Sequence, residues 1–169
     1  MNAPTLGSLA IPQRLDYHDI CKLLPYKSPW LLIDRVASWG TNEIVVIKAI
    51  SGAEVNMAAH MAQGPSVAPG VLQIELVNQA LMLLMVLLNM SGVRSDSMEG
   101  GAGVLASCKA KFHSPAFIGD VITATVKVID TVGNKTMFEG EITCGDRRVA
   151  TVSCIGATVP VQAVFVPEF

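Results

Sequence analysis

Charged residues are scarce in this chain. Only 15% of its 169 residues are Asp, Glu, Lys or Arg, whereas 51% are hydrophobic. A soluble chain this apolar must hide surface, and contact between subunits is the usual way to do so. The net charge of −2, with no cluster of basic residues, argues against a nucleic-acid partner. The length and composition therefore predict one domain that associates with further copies or partners.

The sequence also lacks closely spaced cysteines and a secretion signal. Its four cysteines, Cys21, Cys108, Cys144 and Cys154, are scattered without a CxxC pair. No long apolar segment follows a charged start within residues 1–19. These features favour a cytoplasmic location with reduced thiols. We expect Cys108 and Cys154 to fill the cores of strands rather than to carry out redox chemistry.

An uninterrupted apolar run of membrane-spanning length is absent. Residues 71–90 are long enough to cross a bilayer. Five polar residues interrupt this segment: Gln73, Glu75, Asn78, Gln79 and Asn89. The apolar part that remains, residues 80–88, is too short to span a membrane. We therefore expect a helix that is apolar on all sides and buried inside the protein, with no membrane span.

Capping and turn signals predict the order of the secondary-structure elements. Asp16 is a suitable N-cap for a short helix over residues 17–24, and Pro69 suits the first turn of a long helix that ends near residue 90. Gly133-Asn134 and Gly145-Asp146 are typical of hairpin turns. The predicted strands cover residues 30–39, 44–50, 104–113, 121–131, 136–144 and 147–158, with an irregular stretch over residues 51–69.

This order of elements predicts an α+β fold. Residues 1–14 are rich in proline, glycine and small polar residues and are expected to form an N-terminal arm, and residues 15–169 a single domain. The long helix is apolar on every side and therefore needs cover on every side. An antiparallel sheet wrapped around this helix would supply most of the cover, and a second subunit the rest.

Three sequence stretches combine prolines, glycines and polar residues in a distinctive order. They are LLPYKSPWLLIDRV at residues 23–36, His60 followed by APGVLQIELVNQA at residues 68–80, and KAKFHSPAFIGD at residues 109–120. Together they resemble the hotdog-fold 3-hydroxyacyl-acyl carrier protein dehydratases of fatty acid synthesis. The resemblance covers about residues 17–158 and implies the hotdog fold, an antiparallel sheet around one central helix.

The resemblance also implies roles for individual residues. His60 and Glu75 correspond to the family's catalytic pair, which meets across a dimer interface with one residue from each subunit. Gly70 corresponds to the glycine whose N–H receives the thioester oxygen, and Val71 and Gln79 are expected to bind substrate. Gln79 lies one helical turn after Glu75, so it could hydrogen-bond Glu75, bind substrate or simply pack the helix.

Two segments depart from the family pattern. The family's Gly-His-Phe-Pro-Gly is replaced by AHMAQG at residues 59–64, which places one additional residue between His60 and Gly64. The family's Pro-His-Arg becomes Pro25-Tyr26-Lys27. The additional residue could shift His60 relative to Glu75, and a displacement of about 1 Å can lower a rate roughly a hundredfold.

The implied residues suit the dehydration of a 3-hydroxyacyl thioester. This reaction removes a proton from C2 and hydroxide from C3, so it needs a base, an acid and a donor for the thioester oxygen. Histidine titrates near neutral pH and can act as a base, and a glutamate in an apolar pocket is suited to act as an acid. The N–H of Gly70 at a helix start would stabilise the developing oxyanion by about 3 kcal/mol. No cofactor is required, and His18, His60 and His113 have no metal-ligand spacing with each other.

The sequence allows more than one interaction partner and more than one reaction. A positive rim of Lys27, Arg35, Lys109 and Lys111 could meet acyl carrier protein or the phosphate of its phosphopantetheine, or these residues could be solvated surface charges. The same fold also supports thioester hydrolysis and enoyl isomerisation. A third alternative is a non-catalytic, acyl-binding partner subunit, which the additional residue after His60 favours. We expect a homodimer or a larger oligomer built from dimers.

Overall fold

The computed structural model describes residues 11–58, 60, 66–93 and 101–160, which form an α+β fold. Its elements are α1 (Tyr17–Leu23), β1 (Arg35–Trp39), β2 (Glu43–Ala49), α2 (Val55–Ala58), α3 (Gly70–Met90), β3 (Gly101–Phe112), β4 (Val121–Val132), β5 (Lys135–Cys144) and β6 (Arg147–Pro160). The predicted cap of α1 is confirmed, because the Asp16 side chain accepts a hydrogen bond from the Asp19 N–H at 3.0 Å. Residues 1–10 of the predicted arm and residues 61–65 after His60 lie outside the described residues.

The six strands form one antiparallel sheet in the order β1-β2-β4-β5-β6-β3. Both predicted hairpin turns are confirmed. Gly133 and Gly145 have φ values of 59° and 55°, a backbone conformation that glycine adopts without strain. The chain leaves β2, forms α2 and α3, and returns through β3 to the far edge of the sheet. The strand β3 therefore lies at one edge, paired with β6.

Helix α3 is the core of the fold. Its 21 residues contact strands β2 to β6 and helix α1, so apolar side chains are buried around most of the helix. The approach to β5 is close, because a Cβ atom on Gly140 would lie 2.6 Å from Cγ1 of Val77. The helix is long and apolar enough to cross a membrane, but most of it is buried inside the molecule. The prediction of a buried core helix is thus confirmed.

The strand predicted over residues 30–39 is wrong in its first half. The strand β1 begins only at Arg35. The Trp30 and Leu31 N–H groups both donate to the carbonyl oxygen of Lys27, and the Leu32 N–H donates to the side chain of Gln79. These amides are therefore engaged in a turn and in a contact with α3, although the side chains of residues 31–33 are buried as in a strand.

Two further expectations need correction. The stretch over residues 51–69, predicted to be irregular, contains the short helix α2, and the Glu54 side chain accepts from the Ser51 N–H at 3.1 Å just before it. Cys154 is buried in the core as expected, whereas Cys108, its partner in the β3–β6 register, is exposed in the single chain. Burial raises the pKa of the Cys154 thiol to about 12, with a smaller contribution from Cys108.

Candidate active site

The start of α3 is shaped by Pro69 and Gly70. Pro69 is the N-cap residue and Gly70 the first helical residue, so the N–H of Gly70 is one of the four that have no acceptor within the helix. A Cβ atom at this position would lie 2.7 Å from Cζ of Phe112, which explains why glycine occupies it. The neighbouring Val71 is 70% exposed in the single chain. The helix start therefore presents a donor and the positive end of the helix dipole beside an apolar surface.

His60 is held by a backbone carbonyl in an orientation suited to a base. Its Nδ1 lies 2.9 Å from the carbonyl oxygen of Val67. A carbonyl oxygen only accepts, so Nδ1 carries the proton in the neutral ring and Nε2 keeps its lone pair. Val67 is itself bridged to Phe117, and the His60 side chain is exposed in the single chain. The imidazole is therefore fixed on one side and open on the other.

Glu75 is fixed by Gln79. The fully buried side chain of Gln79 donates from Nε2 to Oε1 of Glu75 at 2.9 Å and to the carbonyl oxygen of Trp30 at 2.8 Å. Its Oε1 accepts from the Leu32 N–H at 2.9 Å. The sequence left three roles open for Gln79: a hydrogen bond to Glu75, substrate binding and helix packing. The structure contains the hydrogen bond to Glu75. Gln79 thus positions the carboxyl group and ties α3 to the segment before β1.

Glu75 lines a cavity of about 130 Å³ between α3 and strands β3, β5 and β6. Four lining residues, Glu75, Asn78, Met82 and Met85, follow one another at helical spacing along one face of α3. The other lining residues are Tyr26, Leu81, Gly103, Val104, Leu105, Thr136, Phe138, Gly156, Ala157 and Thr158. Apolar walls with a few polar groups and one carboxyl group suit an acyl chain with a polar end. His60, by contrast, is not among the lining residues of this cavity in the described part of a single chain.

The structure adds Tyr26 and Asn78 to the residues that the sequence identified. Tyr26 lies at a position where the family that the sequence resembles has histidine. This difference was the signal in the sequence that could have identified Tyr26. Burial, and then the negative charge of Glu75, raise the pKa of the Tyr26 phenol. Asn78 follows Glu75 at helical spacing, which was a second signal.

A partly buried ion-pair cluster is formed by residues that lie before His60 in the sequence. Lys48, although only 5% exposed, lies 3.3 Å from a carboxylate oxygen of Asp34 and 2.9 Å from one of Glu54. Asp34 also accepts from the Ala49 N–H at 2.7 Å. The cluster ties the beginning of the α2 segment, which precedes His60 in the sequence, to the sheet. Its signal in the sequence was a lysine inside the apolar strand IVVIKAI.

The four residues of the possible positive rim lie at the surface of the chain. Lys27, Arg35, Lys109 and Lys111 are all exposed. Among the residues that the structure describes, no group of three or more His, Cys, Asp or Glu side chains could hold a metal ion.

Comparison with known proteins identifies the class of protein to which this fold and site belong. Residues 53–167 match the family model of the thioesterase-like superfamily. A solved structure, the dehydratase heterocomplex ApeI:P from Xenorhabdus doucetiae, has the same fold, with a TM-score of 0.69 and 21% sequence identity over 85% of this chain and 92% of that one. The chain is therefore a hotdog protein of the thioesterase-like superfamily.

Sequence relatives specify the family within that class. The 3-hydroxyacyl-acyl-carrier-protein dehydratase FabZ of Alkalilimnicola ehrlichii is 34% identical over 155 residues, which cover 89% of this chain and 93% of the relative. The FabZ of Koribacter versatilis is 35% identical over 145 residues, which cover 84% of this chain and 89% of the relative. The chain belongs to the FabZ family of dehydratases.

Proposed function

We propose that this protein is a hydro-lyase that dehydrates 3-hydroxyacyl thioesters of acyl carrier protein to trans-2-enoyl thioesters, with His60 and Glu75 as the catalytic pair. The observation that carries the proposal is the position of Glu75. It lines the largely apolar cavity, five residues after the helix-start Gly70, and Gln79 fixes its carboxyl group. The family of the chain agrees with this chemistry.

Each step of the reaction has a group in this site. Nε2 of His60 takes the proton from C2 of the acyl chain, and the thioester oxygen accepts a hydrogen bond from the N–H of Gly70 as negative charge develops. Glu75 gives its proton to the 3-hydroxyl group, which leaves as water while the double bond forms between C2 and C3. The imidazolium and the carboxylate that result return to their starting forms by exchanging a proton.

We further propose that two copies of the chain complete the site. The strand β3 has 12 residues and, within the described residues, pairs only with β6, so its other edge has backbone groups available for a further strand. Val71, Leu105 and Phe112 are exposed apolar residues at this edge or at the start of α3. Pairing of two β3 edges would bury these side chains and bring His60 of one copy towards Glu75 of the other.

The substrate is proposed to arrive on the phosphopantetheine arm of acyl carrier protein in the cytoplasm, with CoA as the alternative carrier. Lys109 and Lys111 are exposed on β3 and Lys27 precedes the segment that Gln79 binds, so these residues are the candidate contacts for the phosphate and the acidic carrier. The reaction needs no cofactor, because the acid, the base and the oxyanion donor are all protein groups.

The experiment that tests the catalytic pair compares three variants. We expect His60→Ala and Glu75→Gln each to lower the formation of 2-enoyl thioester by about a hundredfold or more, measured by the ultraviolet absorbance of the product. His18→Ala is the matched control, because His18 is exposed on α1 and does not line the cavity. Normal turnover by His60→Ala would contradict the assignment.

A second candidate function is thioester hydrolysis, which the superfamily match favours. Hydrolysis would release a free thiol from acyl-CoA, whereas dehydration leaves the thioester intact. A thiol assay on the same substrates separates the two. Tight acyl binding without either product would instead indicate a non-catalytic partner subunit, which is a further alternative beside enoyl isomerisation.

A further inference from the structure

We propose that Tyr26 is a substrate-binding residue, whose phenol donates a hydrogen bond to the 3-hydroxyl group of the acyl thioester while that group is engaged by Glu75. This inference rests on the proposed function and concerns the same cavity. Tyr26 and Glu75 both line that cavity, and Asn78 lines it with them. Tyr26 therefore adds a neutral donor to the site next to the acid.

The segment that carries Tyr26 is fixed at both ends. Before it, the Leu24 N–H donates to the carbonyl oxygen of Ile20 at 3.0 Å, and the side chain of Leu24 is buried. After it, the Trp30 N–H donates to the carbonyl oxygen of Lys27 at 2.8 Å, and the carbonyl oxygen of Trp30 accepts from Gln79. The side chain that fixes Glu75 therefore also bonds to the segment that carries Tyr26, and the phenol and the carboxyl group line the same cavity.

The chemistry of the phenol fits this role. The phenol remains protonated at neutral pH, because its ordinary pKa is about 10 and the site raises that pKa further. A protonated phenol always has a hydrogen to donate, whereas Glu75 has one only in its protonated form. A donor to the 3-hydroxyl oxygen orients that oxygen for protonation, and it helps to distinguish a 3-hydroxyacyl chain from a saturated one.

A binding experiment without turnover tests the proposal. In the Glu75→Gln background, the dissociation constants of 3-hydroxyoctanoyl-CoA and octanoyl-CoA are measured by calorimetry. We expect tighter binding of the hydroxylated thioester, by roughly two- to twelvefold, the range that one neutral hydrogen bond contributes. Adding Tyr26→Phe should reduce this preference by at least twofold, because the hydrogen bond from the phenol is lost, while leaving the binding of octanoyl-CoA unchanged.

The chain offers a matched control. It contains two tyrosines, and the other one, Tyr17, lies on α1 and does not line the cavity. Adding Tyr17→Phe to the Glu75→Gln background should leave the preference intact. Equal weakening of the binding of both thioesters by Tyr26→Phe would show that the ring only packs against the ligand and would overturn the proposal. A preference for the hydroxylated thioester that is undiminished in this variant would overturn it as well.

A spectroscopic titration provides a second, independent test. In a Tyr17→Phe chain, Tyr26 is the only tyrosine, so the ultraviolet absorbance of phenolate reports on it alone. Burial raises the pKa of Tyr26 most, and the negative charge of Glu75 raises it further, so Glu75→Gln should lower that pKa. An unchanged pKa would show that the charge of Glu75 does not act on Tyr26 and would overturn the proposal.

The binding experiment distinguishes this proposal from the proposed function. Failure of both thioesters to bind would overturn both proposals together, whereas binding without a Tyr26-dependent preference would overturn this one alone.

Discussion

Gln79 connects three parts of the candidate site through one side chain. It binds Glu75 on its own helix and the backbone of Trp30 and Leu32, which lie 49 and 47 positions earlier in the sequence. Spacing along the helix made the bond to Glu75 one of several possibilities, but no local pattern indicates the other two partners. The sequence of residues 30–34 resembles a strand. These same bonds explain why the segment does not form one, because they engage its backbone groups with α3.

The role of Gln79 predicts a large loss of stability when its amide is removed. Gln79→Leu leaves the buried Leu32 N–H and the Trp30 carbonyl without their partner, and each unpaired group costs about 1–3 kcal/mol. We expect urea unfolding to show a free energy of unfolding lower by about 2–5 kcal/mol. Gln13→Leu is the control, since Gln13 is exposed, and should change it by less than about 0.5 kcal/mol. An equally small effect of Gln79→Leu would show that these hydrogen bonds are not structural.

At the scale of the elements, α3 and β5 approach each other closely at Gly140 and Val77. The sequence predicted both elements, because α3 is a long apolar run after proline and β5 begins after a glycine turn. It did not predict their close approach, which depends on a missing side chain at Gly140 opposite Val77. A glycine inside a strand was the only signal, and it is also compatible with a bulge.

This contact predicts that Gly140→Ala destabilises the protein. The added Cβ would lie 2.6 Å from Cγ1 of Val77, so the helix or the strand must shift, at a cost of about 1–3 kcal/mol in thermal or urea unfolding. The double variant Gly140→Ala, Val77→Ala should lose less stability than the sum of the two single variants. At Gly40 an added Cβ meets no atom within 4 Å, so Gly40→Ala serves as the control. Strict additivity of the two single changes would refute the steric explanation.

The cavity between α3 and the sheet has a similar dependence on glycine. A Cβ on Gly156 would lie 3.5 Å from the Phe138 ring and 3.7 Å from Leu81, which is ordinary contact, so a small side chain fits but a larger one must occupy the cavity. We expect Gly156→Leu to impair turnover of 3-hydroxydodecanoyl thioesters more than that of 3-hydroxybutyryl thioesters. Gly156→Ala is the matched control with little effect. Equal loss for both chain lengths would place the acyl chain elsewhere.

At the scale of the whole molecule, a single chain leaves some of its apolar side chains exposed. Val71, Leu105 and Phe112 remain exposed, and the edge of β3 has no partner strand within the described residues. The sequence predicted this excess of apolar surface from composition alone. It could not locate the surface, because the location depends on which strand the topology leaves at the edge.

Cysteine reactivity tests whether the edge is covered in solution. Cys21 and Cys108 are both exposed in the single chain, but only Cys108 lies on β3. If two copies pair through β3, a maleimide should label Cys21 and spare Cys108, as read by peptide mass mapping. Cys154 should stay unlabelled in either case, because it is buried and its raised pKa keeps it protonated at neutral pH. Equal labelling of Cys21 and Cys108 would contradict a covered edge.

The most direct test of a site shared by two subunits is to combine the inactive variants. Separately purified His60→Ala and Glu75→Gln chains are unfolded together, refolded as a mixture and assayed for 2-enoyl thioester, with hybrid formation verified by native mass spectrometry. In a hybrid dimer, one of the two sites joins an intact His60 from one chain to an intact Glu75 from the other, so we predict that dehydratase activity returns. Hybrid dimers that form and remain as inactive as either parent would contradict the shared site.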